Sequence, residues 1–206
     1  MARPKNADPE ETQRRILDAA VDRFGSGGVK GTSLRTIAAD AGVTFATVHH
    51  YFGSKADLFD RCLATAYDRL RGLKPALAEA FGCASPPAER VRKIVEAAFD
   101  YARDHAHSTR FLLRVTLYDE VDHPRRRGAQ AEYLDVASAM LAPMVERPAA
   151  ELRVPLQGLM FLLSRTAVLS SRDLEVIAGG PEVDPLVALR EYVADVAVHT
   201  LTRGAP

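Results

Sequence analysis

From Pro9 onward the apolar residues of this 206-residue chain recur every three or four positions, and almost nowhere every second one. That period admits helices and leaves little room for a sheet. The expectation is an all-α protein. Ile16, Ala20 and Phe24 fall on one face of a first helix, with Leu17 and Val21 beside them. Asp8 can cap this helix, Pro9 fits its first position, and Glu10 and Glu11 suit the positive end of its dipole. Gly25 and the "SGG" behind it are expected to end it. A short second helix follows "KGTS", capped by Thr32 or Ser33, with Leu34, Ile37, Ala38 and Ala41 as its buried stripe. A third runs from Phe45 to about Phe52 behind a Thr44 cap, turning Val48 and Phe52 inward with Val43. Gly53 stops it. Ser54 and Asp57 then form a capping-box-like start.

Further helices are expected at about 56–81, 87–104, 107–118, 126–144, 149–171 and 185–203. "GCASPP", "DHPRRRG" and "GGPEVDP" supply the breaks. The last two long segments are apolar around much of their circumference, so they need cover on several sides. A second copy of the chain is the expected cover, with Leu159 and Val193 as the positions where a charge should yield monomers or insoluble protein.

Two short helices joined by a tight glycine turn make a helix-turn-helix. In that unit the second helix offers its N-terminal part to base edges in the major groove. It therefore needs one apolar side for anchoring and small or polar groups outside, and "TFATVHHY" has both. With Val48 inward, Ala46 and His50 point away, and Thr47 and His49 lie on the flanks. Phe45 and the threonine methyls suit thymine methyl groups. Tyr51 and Lys55 suit phosphates, Lys55 at a helix start whose free N–H groups favour an anion. The adjacent His49 and His50 diverge by about 100° on a helix, so they do not chelate one metal ion together.

The stretch "TSLRTIAADAGVTFATVHHYFGSKADLF" resembles the DNA-binding signature of the TetR family of transcriptional regulators. The "IA..AGV" ending of one helix and the "YF.SK" exit of the next carry the likeness. It extends from about Arg15 to Phe59. Beyond that the chain is similar only in length and helical character. The resemblance implies a homodimer with a helix-turn-helix DNA-binding domain, residues 1–53, and a helical-bundle domain for ligand binding and dimerisation, residues 54–206. It also implies the DNA-facing set, here Thr32, Ser33, Thr44, Phe45, Ala46, Thr47, His49 and His50, with Tyr51 and Lys55 on phosphates. Histidine at 49 and phenylalanine at 45 depart from the common family residues.

Charge is consistent with this division. The chain is neutral overall, with 27 Lys and Arg against 27 Asp and Glu. Residues 1–55 carry a net +2, which permits an anionic partner. The two cysteines, Cys62 and Cys83, read as core fillers rather than a disulfide framework. "RPK" at 3–5 could be an arm reaching DNA or a tail, and "RRR" at 125–127 reads as a solvated helix start or loop. His105, His107 and His123 lie near expected loops. The start has no apolar leader and no run spans a bilayer, so a cytoplasmic protein without a membrane partner is expected. No nucleophile–base pair, phosphate loop or carboxylate pair points to an enzyme, and no cofactor is expected. Phe81, Phe99, Phe111, Tyr118, Tyr133, Met140, Met144, Met160 and Phe161 supply a core, some of them the walls for an apolar small molecule. The leading expectation is a ligand-responsive repressor on a palindromic operator. A ligand-binding or interaction protein without sequence-specific DNA binding is the alternative, and a small all-α enzyme a third.

Overall fold

The computed structural model describes residues 8–82, 84–117, 124–180 and 182–202. The 3–5 arm, Cys83, Tyr118 and His123 lie outside them. Eleven helices follow one another in the described residues, with no strand among them: α1 (Pro9–Gly31), α2 (Leu34–Asp40), α3 (Phe45–Phe52), α4 (Lys55–Leu70), α5 (Lys74–Gly82), α6 (Pro87–Asp104), α7 (Ala106–Leu117), α8 (Pro124–Val145), α9 (Ala149–Ala167), α10 (Ser171–Ala178) and α11 (Pro185–Thr202). They gather into two compact units, one of residues 1–69 with 110–122, the other of 70–109 with 123–206.

In the first unit Asp8 caps α1 as its sequence announces, accepting from the Glu10 N–H at 3.0 Å. Gly25 does not end the helix. It stays inside because the Phe111 backbone passes where its side chain would be, 3.1 Å from an ideal Cβ. The break comes at Gly28, the last residue of the expected "SGG", whose φ of 73° and ψ of 169° no helix contains. Ile16, Ala20, Val21 and Phe24 of α1 meet Ile37 and Ala38 of α2, Val48 and Phe52 of α3, and Leu58, Phe59, Cys62 and Leu63 of α4 in one core. Phe111 of α7 belongs to that core as well. Its ring stands edge-on to Phe59 at 5.6 Å and lies 6.4 Å from Phe24. Packing therefore encloses more than residues 1–53. α4 and the second half of α7 complete the first hydrophobic core, because a three-helix unit this small cannot enclose Phe24 by itself.

The second unit has its own cores. Val91 of α6, Leu141, Met144 and Val145 of α8, Leu152, Leu156 and Leu159 of α9, and Ala197 and Leu201 of α11 form the larger. Phe99, Ala102 and Ala167 form the smaller. Salt bridges from Arg92 to Asp195, and from Arg190 to Glu96 and Asp100, run along the seam between α6 and α11. Leu159 and Val193, expected at a dimer surface, are instead 9% and 0% exposed within their own unit. The apolar circumference of these helices is covered mostly by this chain's neighbouring helices. What remains open on them is Val154, 81% exposed, together with Val187 and Tyr192.

Two helix limits differ from expectation. The single helix expected over 56–81 is two, parted by a short 3-10 turn at Arg71–Leu73. The Tyr101 hydroxyl lies 2.7 Å from where a Gly72 Cβ would sit, so a larger residue there would have to push that side chain aside. The helix expected over 149–171 ends at Ala167, and α10 starts behind a full capping box of Ser170 and Asp173. Residues 125–127 fall in the first turn of α8. Among the described residues no single helix is long and apolar enough to cross a membrane.

Candidate nucleic-acid interface

α2 ends in a Schellman turn, which fixes how α3 leaves it. The Val43 N–H donates to the Ala38 carbonyl at 2.9 Å and the Gly42 N–H to the Ala39 carbonyl at 3.1 Å. Gly42 takes φ 62°, the left-handed value this turn requires. The Arg15 guanidinium of α1 donates to the carbonyl of Ala41 and, at 3.4 Å, to that of Gly42. Arg23 of α1 grips Asp40, at the end of α2, through two hydrogen bonds, one of them 2.8 Å long. Arg23 holds the Asp40 carboxyl below its ordinary value of 3.8, chiefly through these hydrogen bonds and also by its charge. Two arginines of α1 thus fasten the turn that sequence spacing alone identified as a glycine break.

α3 is anchored from beneath by Val48 and Phe52, both buried. Thr44 caps it, accepting from the Thr47 N–H at 3.1 Å, and the two threonine hydroxyls hydrogen-bond to one another at 2.9 Å. Thr44, Phe45, Ala46, His49 and His50 are exposed on its outer side, and Thr47 is half-buried. Phe45 remains 45% exposed, a large apolar group held out toward solvent. Its ring lies 6.1 Å from that of His49. On the other side the Arg35 guanidinium of α2 sits 5.9 Å from its centre, within cation–π range. Arg35, Phe45 and His49 form one row across the two helices. Sequence reasoning missed Arg35 because ten residues separate it from Phe45 and only the folded turn brings them together.

The remaining expected residues also make contacts within the fold. Tyr51 packs half-buried against the core, and the edge of its ring meets His50 at 5.2 Å. Ser33 caps α2, accepting from the Thr36 N–H at 3.1 Å. Thr32 is buried, and its hydroxyl donates to the carbonyls of Gly28 at 2.7 Å and Arg23 at 3.1 Å. Lys55 donates to the carbonyls of Val29 at 2.9 Å and Thr32 at 3.1 Å. Cys62 is buried against α1, and desolvation pushes its thiol well above the ordinary range, so it packs as an apolar group.

An anchored second helix whose outer face carries threonines, an aromatic ring and histidines has the geometry of a helix-turn-helix. Residues 16–62 match the model of the bacterial regulatory proteins of the tetR family. It is 38% identical over 87 residues to the HTH-type transcriptional regulator BetI of Brucella anthropi, covering 42% of this chain and 43% of that one. Against the regulator SrpR of Pseudomonas putida it is 42% identical over 65 residues, 32% of this chain and 30% of the relative. It thus spans less than half the length of the relatives it matches. Two solved structures share its fold over nearly the full length. A TetR-like regulator from Rhodococcus sp. RHA1 superposes with a TM-score of 0.65 at 24% identity, covering 98% of this chain and 100% of that one. AibR in complex with isovaleryl coenzyme A and operator DNA gives a TM-score of 0.65 at 18% identity, with 93% and 98% covered.

Proposed function

We propose that this chain is a ligand-responsive, DNA-binding transcriptional repressor that reads a palindromic operator as a homodimer. The observation that carries the reading is the outer face of α3. Its backbone is fixed by the Thr44 cap, the Schellman turn and the Arg15 clamp, while Phe45, Ala46, His49 and His50 stay free of the core. Such a surface has no role in packing and fits a major groove. Thr44 and Thr47 offer hydroxyls at its leading end, with Tyr51 behind them toward a phosphate. Ser33 and Arg35 at the head of α2 meet the neighbouring backbone.

The dimer forms through α9 and α11, on the faces that leave Val154, Val187 and Tyr192 exposed. Two reading helices related by that twofold would meet half-sites about 34–36 Å apart. The effector is an apolar small molecule bound within the second unit. AibR, whose structure contains both isovaleryl coenzyme A and operator DNA, supports a chain of this fold serving both partners. An effector that prefers one arrangement of the dimer would shift operator affinity by about 1–3 kcal/mol. Functionally the chain divides into a reading part, residues 1–53, and a sensing and dimerising part, residues 54–206.

The test is a competition gel shift with a palindromic duplex taken from upstream of a neighbouring operon. Specific retention that falls with salt at a log–log slope of about −0.9 per phosphate contacted is the expected result. Equal retention of every duplex, or none, would leave a helical ligand-binding or interaction protein.

A further inference from the structure

We propose that Phe45 reads the C5-methyl group of one thymine in each operator half-site; this rests on the DNA-binding reading above and names the base chemistry that its outer face selects. Phe45 is the first residue of α3 and keeps 45% of its surface open, while its apolar neighbours Val43, Val48 and Phe52 pack onto the core. A phenyl ring left in water gains free energy from any apolar contact that covers it. The ring is also held in place. The His49 ring, one turn further along α3, lies 6.1 Å away, and the Arg35 guanidinium of α2 lies 5.9 Å from its centre. A side chain braced from two helices loses little freedom when it docks, so more of the contact energy appears as affinity.

The chemistry of the groove picks the partner. Base edges in the major groove present hydrogen-bond donors and acceptors, and one apolar group, the thymine methyl. A phosphate is anionic and offers a phenyl ring no hydrogen-bonding partner. Four side chains at the head of α3 carry carbon outward: Thr44, Phe45, Ala46 and Thr47. The two threonines are tied to each other. The Thr44 hydroxyl accepts from the Thr47 N–H at 3.1 Å, the hydroxyls join at 2.9 Å, and Thr47 is half-buried. Ala46 ends at its Cβ and reaches least far; its small size lets the helix approach the groove closely. The apolar contact therefore falls to the ring of Phe45.

The test removes one methyl at a time. A palindromic duplex is selected from a random pool by the unaltered protein. Each thymine is then replaced in turn, symmetrically in both half-sites, by deoxyuridine, which pairs as thymine does and lacks only the C5-methyl group. In competition gel shifts one thymine position should respond. Affinity should fall about fourfold per half-site and roughly 15-fold for the pair, the effect of burying one methyl at each. In Phe45→Ala the thymine and deoxyuridine duplexes should bind equally at that position, measured at low salt where phosphate contacts sustain binding. Phe45 is exposed, so this variant should melt with the unaltered protein. The deoxyuridine scan of the unaltered protein needs no variant at all. A specifically bound duplex with no sensitive thymine would overturn the proposal and leave the DNA-binding reading standing. So would a sensitive thymine whose methyl counts as much in Phe45→Ala. Selection that enriches no sequence would instead remove that reading, and the proposal with it.

Discussion

Replacing Phe111 with alanine tests where the reading head ends. Phe111 lies in α7, nearly sixty residues beyond the third helix, yet it is fully buried with Phe24 and Phe59. A Phe→Ala change at such a site costs about 3–5 kcal/mol. The upper part of that range, about 4–5 kcal/mol, applies because two aromatic partners lose their ring contacts. For a domain of this unit's size each kcal/mol lowers the melting point by roughly 4–8 °C, so a fall of about 16–40 °C is expected. Thermal and urea unfolding followed by circular dichroism would measure the two quantities, with Phe99→Ala as the comparison. Phe99 is as deeply buried but belongs to the second unit, so it should destabilise that unit's transition. If Phe111→Ala costs less than about 1 kcal/mol, or if both variants shift one common transition equally, the assignment of α7 to the first core is wrong.

Glycines provide a paired test. Gly25→Ala should destabilise by about 1–3 kcal/mol, since its Cβ would press on the Phe111 backbone, whereas Gly158→Ala, in open space on α9, should stabilise by about 0.5–1 kcal/mol; thermal melts of both suffice. The Arg23–Asp40 pair sets a pH dependence. Its carboxyl titrates lower when folded than when unfolded, so its stabilisation is complete above about pH 5 and is lost as pH falls through the folded value. Asp40→Asn should flatten that acid limb in urea midpoints taken from pH 6 to 3, in part only, because Asp57 and Asp173 are lowered likewise. For the proposed dimer, Val154→Lys should yield folded monomers in size-exclusion, while Val193→Lys, at a fully buried site, should unfold the second unit. A dimeric Val154→Lys protein would move the interface elsewhere.

Local signals in the sequence were read well where they act locally. Asp8, Ser33, Thr44 and Ser54 each cap the helix their position announces, and the period of Val43, Val48 and Phe52 correctly gives the inner side of α3. Thr32 was harder to place: beside Ser33 it offers the same cap, and only the fold shows its hydroxyl turned back onto α1. α10 carried a legible signal too. Its Ser170 and Asp173 repeat the pattern of Ser54 and Asp57, but the apolar run before them masked the break. What stayed hidden depends on distant residues meeting. Gly25 continues a helix because Phe111 lies against it, and Arg35 joins the candidate site because the turn folds it over Phe45. For Lys55, spacing reveals the charge but not the carbonyls of Val29 and Thr32 to which it donates.

The first unit is interrupted in sequence: Leu70 to Thr109, forty residues, belong to the other. On the ribosome this sets an order of events. At about 5–20 residues per second, synthesis of the insert occupies roughly 2–8 seconds after α4 has been made. During that delay the nascent first unit has α1 to α4 but lacks the Phe111 ring that fills its aromatic centre. Its core is therefore complete only once the insert and α7 have been translated, and a product truncated before α7 would leave Phe24 and Phe59 without that cover.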